Sequence, residues 1–182
     1  MIDKLKMNEL LNRLNEDYNI QGIKLFCEEG INWAGENPIE DLASKIKRGD
    51  WGLWFAQRIN VDHRALTLAK GHCANTIRDL VQDERSLKAI DVAIAYGEGR
   101  ATKEELDFAA KEAFDATEIG TPDAYAAYAA VSDSATSETT TVAAYTSSIA
   151  PDMRRNLIET AEICKVHLGN LVIDKVNELM KN

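Results

Sequence analysis

The sequence predicts an all-α protein, a single-domain bundle or array of about eight or nine helices. Apolar residues recur at helical spacing along most of the chain, the alternation typical of strands is nearly absent, and only three of the 182 residues are proline. Several segments also begin with residues that cap helices. At this length, one helical domain spanning residues 1–182 is expected to bury about 70% of the surface that its unfolded chain exposes.

The first part of the chain, residues 1–100, is balanced in charge and rich in helix signals. Asn37 is a good helix cap because Pro38 follows it and Glu40 stands three residues later. Asp50 and Asp83 are expected to cap two further helices. Helices are predicted over residues 3–18, 23–27, 38–48, 51–59, 61–81 and 84–96.

An aromatic stripe lies on the fourth of these helices. Trp51, Trp54, Phe55 and Ile59 recur at helical spacing, so they share one face. Such a stripe is typical of a hydrophobic core, and it also occurs on binding faces. The sequence leaves open whether this stripe is core or interface.

Residues 101–150 form an acidic part that is rich in alanine and tyrosine. Thr102 and Glu105 have the spacing of a capping box, which predicts a helix that runs through Leu106, Ala109, Ala110, Ala113 and Phe114. Thr121 and Pro122 predict the start of another helix, which ends at Val131.

The segment 132–148 is dominated by serine and threonine, which are poor helix formers. Because its apolar residues still keep helical spacing, we expect a weak helix behind a loop. Pro151 is expected to open a long C-terminal helix over residues 151–182, with Gly169 as a candidate break.

The net charge of −9 is concentrated in one region. Ten acidic residues and one basic residue lie between Glu104 and Met153, which gives this window a charge of −9, while the rest of the chain has twenty of each. An acidic surface favours solubility, and it also attracts basic partners and repels nucleic acid. We therefore expect no direct nucleic-acid binding, which requires clustered lysine and arginine.

Other classes of protein are disfavoured by composition. The longest uncharged stretch, from Thr139 to Pro151, is too short and too polar to span a bilayer, and the charged N-terminus does not resemble a signal peptide. The single cysteines Cys27, Cys73 and Cys164 are typical of reduced thiols in the cytosol. These features predict a cytoplasmic protein of a bacterial host cell, without contact to membranes.

The sequence contains no pattern typical of a catalytic site or a metal site. His63, His72 and His167 lack partners at zinc-ligand spacing. Ser44 and Lys47 match S-x-x-K without the further motifs that such a nucleophile requires. We therefore predict no catalytic residues, no metal, no cofactor and no enzymatic activity.

The stretch from Cys73 to Val131 has a distinctive pattern of residues. Its members are Cys73, Ala74, Asn75, Asp83, Glu84, Arg85, Ser86, Ala89, Ile90, Ala95, Tyr96, Gly99, Ala101, Thr102, Glu105, Leu106, Ala109, Ala110, Ala113 and the run Ala-Tyr-Ala-Ala-Tyr-Ala-Ala at 124–130. With these residues the stretch resembles the alanine-rich immunity-protein family of phages and mobile elements. That resemblance implies a helical, non-catalytic inhibitor, and the small, acidic, helical character is also similar to that of anti-CRISPR inhibitors.

Together these observations predict a non-enzymatic inhibitor that binds a basic surface of a protein partner, such as a CRISPR effector nuclease or a toxin nuclease. Acids that recur every three to five residues on helices roughly imitate the spacing of phosphates. The alternative is a structural protein whose alanine-rich helices associate with further copies into a homo-oligomer. The predicted partner-binding residues are Glu104, Glu105, Asp107, Glu112, Asp115, Glu118, Asp123, Tyr125 and Tyr128.

Overall fold

A computed structural model describes residues 9–10, 41, 44–132 and 138–181, with the backbone alone for 138–141. Within these ranges all regular structure is helical, which confirms the all-α class, but there are seven α-helices rather than the eight or nine expected. The helices predicted over 3–18, 23–27 and 38–48 lie largely outside the described residues. The seven are α1 (Gly49–Arg58), α2 (His63–Asn75), α3 (Glu84–Gly97), α4 (Lys103–Ala116), α5 (Pro122–Val131), α6 (Glu138–Ile149) and α7 (Met153–Leu179).

Helix α2 occupies the centre of the bundle and packs against α1, α3, α5, α6 and α7. It buries even polar side chains, among them Thr67 and Lys70. The Lys70 ammonium donates a hydrogen bond of 2.7 Å to the carbonyl oxygen of Ser132, the residue that ends α5. A cation at this position favours the helix, because the C-terminal end of a helix carries partial negative charge.

Helices α2 and α3 pack closely because glycines stand where they meet. A Cβ atom on Gly97 would lie 2.4 Å from the Cβ atom of Leu68, and one on Gly71 would lie 2.9 Å from Ile94. The interior position of Gly71, which lowers helix propensity, therefore has a packing reason.

Two of the predicted caps are confirmed. The Asp83 carboxylate accepts a hydrogen bond of 2.8 Å from the backbone N–H of Arg85. The capping box of α4 is complete, since the Thr102 hydroxyl accepts from Glu105 N and the Glu105 carboxylate accepts from Thr102 N. Asp50, by contrast, does not cap α1: it lies in the first turn and binds the side chain of Arg48.

Several predicted helix ends were wrong. The helix expected over 61–81 ends at Asn75, and a 3-10 turn, Arg78–Leu80, follows it. The C-terminal helix begins at Met153 with Asp152 as its cap, rather than at Pro151. Gly169 does not break this helix, which is continuous from Met153 to Leu179. The residue is buried.

The aromatic stripe of α1 is mostly core. Phe55 and Ile59 are buried, while Trp51 and Trp54 are half-buried, and Trp54 packs against the core cluster. The neighbouring Arg58 lies near the Trp54 ring, and burial lowers the pKa of its guanidinium to about 10.

Most alanines of the alanine-rich helices α4 and α5 are buried. Helix α5 packs against α2, α3, α4 and α6, and such crowding is possible because small side chains allow helix axes to approach. Of the two tyrosines of this helix, Tyr125 is exposed and Tyr128 is half-buried. Its buried residues are Ala124, Ala126, Ala127, Ala129, Ala130 and Val131.

The weak helix expected within the serine- and threonine-rich segment is confirmed as α6. Its hydroxyl groups donate hydrogen bonds to backbone carbonyls of the same helix. Thr146 donates to the carbonyl oxygen of Ala143, and Ser147 donates to that of Ala144. Bonds of this kind to the preceding turn allow such residues inside a helix.

Candidate interaction surface

Helix α4 lies at an outer edge of the bundle. It packs against α3 and α5, whereas α7 packs against α1, α2 and α6. The inner side of α4 is apolar, and its opposite side faces solvent and carries most of the predicted partner-binding residues. The buried residues of the inner side are Leu106, Ala109, Ala113 and Ala116.

The predicted acids of α4 and of the turn after it are on the surface. We name them, with Asp123 in the first turn of α5, the acidic surface. Glu112 and Asp123 are half-buried, and the other five are exposed. The members are Glu104, Glu105, Asp107, Glu112, Asp115, Glu118 and Asp123.

Two of these carboxylates have structural roles. Glu105 closes the capping box, with a hydrogen bond of 2.8 Å from Thr102 N to its side chain. Asp107 accepts a bond of 2.5 Å from Lys103, one helical turn before it. A change at either position would therefore alter the folding of α4 as well as any binding.

Basic residues from elsewhere compensate the surface in part. The pKa of Arg85 on α3 is raised, first by its hydrogen bond with Asp83 and further by the charges of Asp115 and Glu112. Lys88, also on α3, lies on the same side. With Lys103 and Lys111 of α4, these four cations oppose seven carboxylates, which leaves a charge of −3.

Two further acids of the surface are Glu104 and Glu118. Both are exposed, and neither forms an ion pair within the ranges that the structure describes. Asp115 is likewise exposed and shares the outer face of α4 with Glu104, eleven residues earlier. A cation from another molecule can approach Glu104 and Glu118, whereas Asp115 already interacts with the charge of Arg85.

The two predicted tyrosines lie one turn apart on α5, and each contacts an aromatic ring of a neighbouring helix. Tyr125 is exposed and stacks on Tyr145 of α6, with ring centroids 5.3 Å apart. Tyr128 is half-buried and meets Phe114 of α4 edge to face, at 5.4 Å. The structure therefore places Tyr128 beside α4 and its acids, whereas the ring of Tyr125 lies against α6.

Sequence reasoning missed three exposed apolar residues on this side. Phe108 and Phe114 are 56% and 57% exposed, and Ile119, in the 3-10 turn Thr117–Ile119, is 57% exposed. Phe114 lies on the predicted helix, but its ring is exposed and meets only the edge of Tyr128 among the aromatic rings of the described residues. The position of Phe108 was readable, since it lies four residues after Glu104 on the polar face.

Other kinds of site have little support in the described ranges. No group of three or more histidine, cysteine, aspartate or glutamate side chains there has a geometry that could hold a metal ion. No helix in these ranges is long and apolar enough to cross a membrane.

Comparison with known proteins gives no relative: no family model matches the chain, and no curated protein and no solved structure is significantly similar to it.

Proposed function

We propose that this protein is a non-enzymatic inhibitor that binds a basic surface of a protein partner through the acidic surface. The observation that carries the proposal is the position of Glu104, Asp115 and Glu118. These acids are exposed on the outer edge of the bundle, and the alanines of the same helix are turned inward.

The partner class that fits best is an enzyme that acts on nucleic acid, such as a CRISPR effector nuclease or a toxin nuclease. Such enzymes bind phosphates through clustered lysine and arginine. Glu104, Asp107, Glu112 and Asp115 of α4 follow one another at intervals of about 4.5 to 7.5 Å along the helix axis. A rigid row of this kind would compete with nucleic acid for a basic channel, and long-range attraction would speed the encounter.

The alternative, an assembly protein that associates through its alanine-rich helices, has less support. The alanines of α4 and α5 that would form such contacts are buried inside the chain. Self-association through them would also persist at high salt, since small-residue packing is barely screened. Light scattering at low and high salt separates this alternative from a salt-dependent complex.

The test of the proposal is charge reversal on one edge of the bundle with a matched reversal on the other. Glu104 and Glu118 are changed to lysine together, and Glu159 and Asp174, which are exposed on α7, serve as the control pair. Both variants change the net charge by the same amount, and neither touches the capping box.

A nuclease captured from a lysate and purified is then titrated with each variant. The Glu104/Glu118 variant should bind at least about tenfold more weakly at low salt and show a flatter salt dependence, whereas the control pair should bind like the parent protein. Equal affinity of the two variants at low salt would contradict the proposal.

A further inference from the structure

The turn that joins α4 to α5 carries an exposed apolar cluster, which we name the aromatic corner. Its members are Phe114, Ile119 and Tyr128. The first two are each more than half exposed, and Phe114 contacts Tyr128 across the two helices. Scattered single apolar residues are ordinary on a protein surface, but several at one turn mark a place where another molecule docks.

The charges around the corner indicate what kind of molecule that is. Asp115 follows Phe114 directly, Glu118 precedes Ile119, and Asp123 lies in the first turn of α5. Within the described part of the chain, no ion pair involves these three carboxylates. A molecule that covers the apolar side chains of the corner therefore also approaches these three carboxylates. The contact is favourable only if that molecule carries positive charge there.

The combination of flat rings and carboxylates favours guanidinium over ammonium. A guanidinium group stacks on an aromatic face and forms paired hydrogen bonds with a carboxylate at the same time. The chain itself contains this arrangement: Arg48 donates two hydrogen bonds to Asp50, at 3.1 and 2.7 Å, while its guanidinium carbon lies 5.0 Å from the centre of the Trp51 ring.

One aromatic ring of α4 also has a cation beside its face, in this case an ammonium. The Lys88 ammonium lies 5.4 Å from the centre of the Phe108 ring. The ring of Phe114, at the other end of the outer face, has an equally exposed surface. The corner thus offers an aromatic face, neighbouring carboxylates and an apolar side chain within one turn.

From this juxtaposition we infer that the aromatic corner binds a protein segment that carries arginine side chains next to an apolar anchor. The inference rests on the proposed function, because it names the part of the basic partner that makes the closest contact. It adds that arginine is preferred to lysine and that Phe114 and Ile119 supply specificity, whereas the acidic surface supplies long-range attraction.

The test uses three short peptides of equal length and charge as probes: one of arginine and leucine, one of lysine and leucine, and one of arginine and serine. Their affinities for the full chain are measured by fluorescence anisotropy. The arginine–leucine peptide should bind about fivefold more tightly than the lysine–leucine peptide, since a planar guanidinium stacks on a ring and forms paired hydrogen bonds with a carboxylate, whereas an ammonium forms no such pair. It should also bind more tightly than the arginine–serine peptide.

A variant with Phe114→Ser and Ile119→Ser should remove both preferences and leave the salt dependence unchanged. The matched control is Ile158→Ser with Val166→Ser on α7, where the two side chains are 51% and 78% exposed. This control should keep both preferences. Circular dichroism checks that each variant is folded.

The outcomes separate the inference from the function on which it rests. Equal binding of all three peptides, weakened for all three by Glu104→Lys with Glu118→Lys, overturns the inference and supports the proposed function. Preferences that survive Phe114→Ser with Ile119→Ser also overturn the inference. Binding of none of the peptides at low salt overturns both.

Discussion

The imidazole rings of His72 and His167 stack face to face, with their centroids 4.6 Å apart and an angle of 8° between the ring planes. The pair joins α2 to α7, and both rings are half-buried. Burial lowers the pKa of His167, and the positive charge of His72 lowers it further, while the Glu98 carboxylate opposes both effects. The stack is therefore most favourable when His167 is neutral.

This arrangement predicts that the protein loses stability as the pH falls below neutral. The folded state binds the proton of His167 more weakly than the unfolded state does, whose pKa lies near 6.5. The contribution of His167 to the free energy of unfolding is thus present above about pH 6.5 and is lost as the pH falls through the lower pKa of the folded state. Urea unfolding at a series of pH values measures this loss, which His167→Gln should reduce.

Glu98→Gln is the opposing variant for the same measurement. Removal of the carboxylate takes away the one charge that raises the pKa of His167. The loss of stability on acidification should therefore become larger and extend to lower pH. A His167→Gln variant with the same pH dependence as the parent would show that the stack does not cause it.

A second prediction concerns the close contact of α2 and α3. A methyl group on Gly97 would lie 2.4 Å from the Cβ atom and 2.7 Å from the Cα atom of Leu68, so the two helices would have to move apart. We expect Gly97→Ala to lower the free energy of unfolding by about 1–3 kcal/mol, which is the usual cost of overpacking. Urea unfolding at neutral pH measures the difference.

Gly99→Ala is the control for Gly97→Ala. Gly99 has a positive φ of 78°, and no atom lies within 4 Å of the position of an added methyl group. This change introduces backbone strain of about 1 kcal/mol without a clash. If Gly97→Ala is no more harmful than Gly99→Ala, the close approach of the helices is not what the glycine provides.

The contrast between these glycines shows what sequence can predict of this fold. The capping box of Thr102 and Glu105 is a local pattern, so the start of α4 was predictable from four consecutive residues. The contact between Gly97 and Leu68 joins positions 29 residues apart. Nothing in the local sequence indicates that these two positions meet: from sequence, Gly97 indicates only the end of a helix, and Gly71 only a residue of low helix propensity.

The candidate site was predictable to a similar degree. Acids at helical spacing were correctly expected on the surface, because charged residues are almost never buried without partners. That Arg85 approaches Glu112 and Asp115 depends on the packing of α3 against α4. The exposure of Phe114 depends likewise on where α5 lies. Residue spacing alone therefore predicted neither the partial neutralisation of the acidic surface by Arg85 nor the aromatic corner.

A third prediction concerns the reactivity of the buried thiols. Cys73 and Cys164 are both buried, and the pKa of Cys73 is raised by its hydrogen bond with Cys164 and by burial. Because the thiolate is the reactive form, alkylation of the native protein by iodoacetamide at pH 8 should be at least about a hundredfold slower than in denaturant.

The alkylation is best measured by mass spectrometry in a Cys27→Ser background, so that only these two thiols report. Digestion then separates the Cys73 and Cys164 peptides. Rapid modification of Cys73 in the native protein would show that α2 and α7 separate frequently enough to expose it.

The last prediction concerns the buried ammonium of Lys70, which is only 2% exposed and donates to the carbonyl oxygen of Ser132. Lys70→Met keeps most of the apolar stem and removes the donor, which leaves that carbonyl without its bond at the negative end of α5. We expect the free energy of unfolding to fall by about 1–3 kcal/mol, the usual cost of an unsatisfied buried polar group. Lys111→Met, at an exposed position of α4, is the matched control and should change stability by less than about 0.5 kcal/mol. A buried charge sometimes costs more than it contributes, so a Lys70→Met protein as stable as the parent would mean that desolvation of the ammonium cancels its bond.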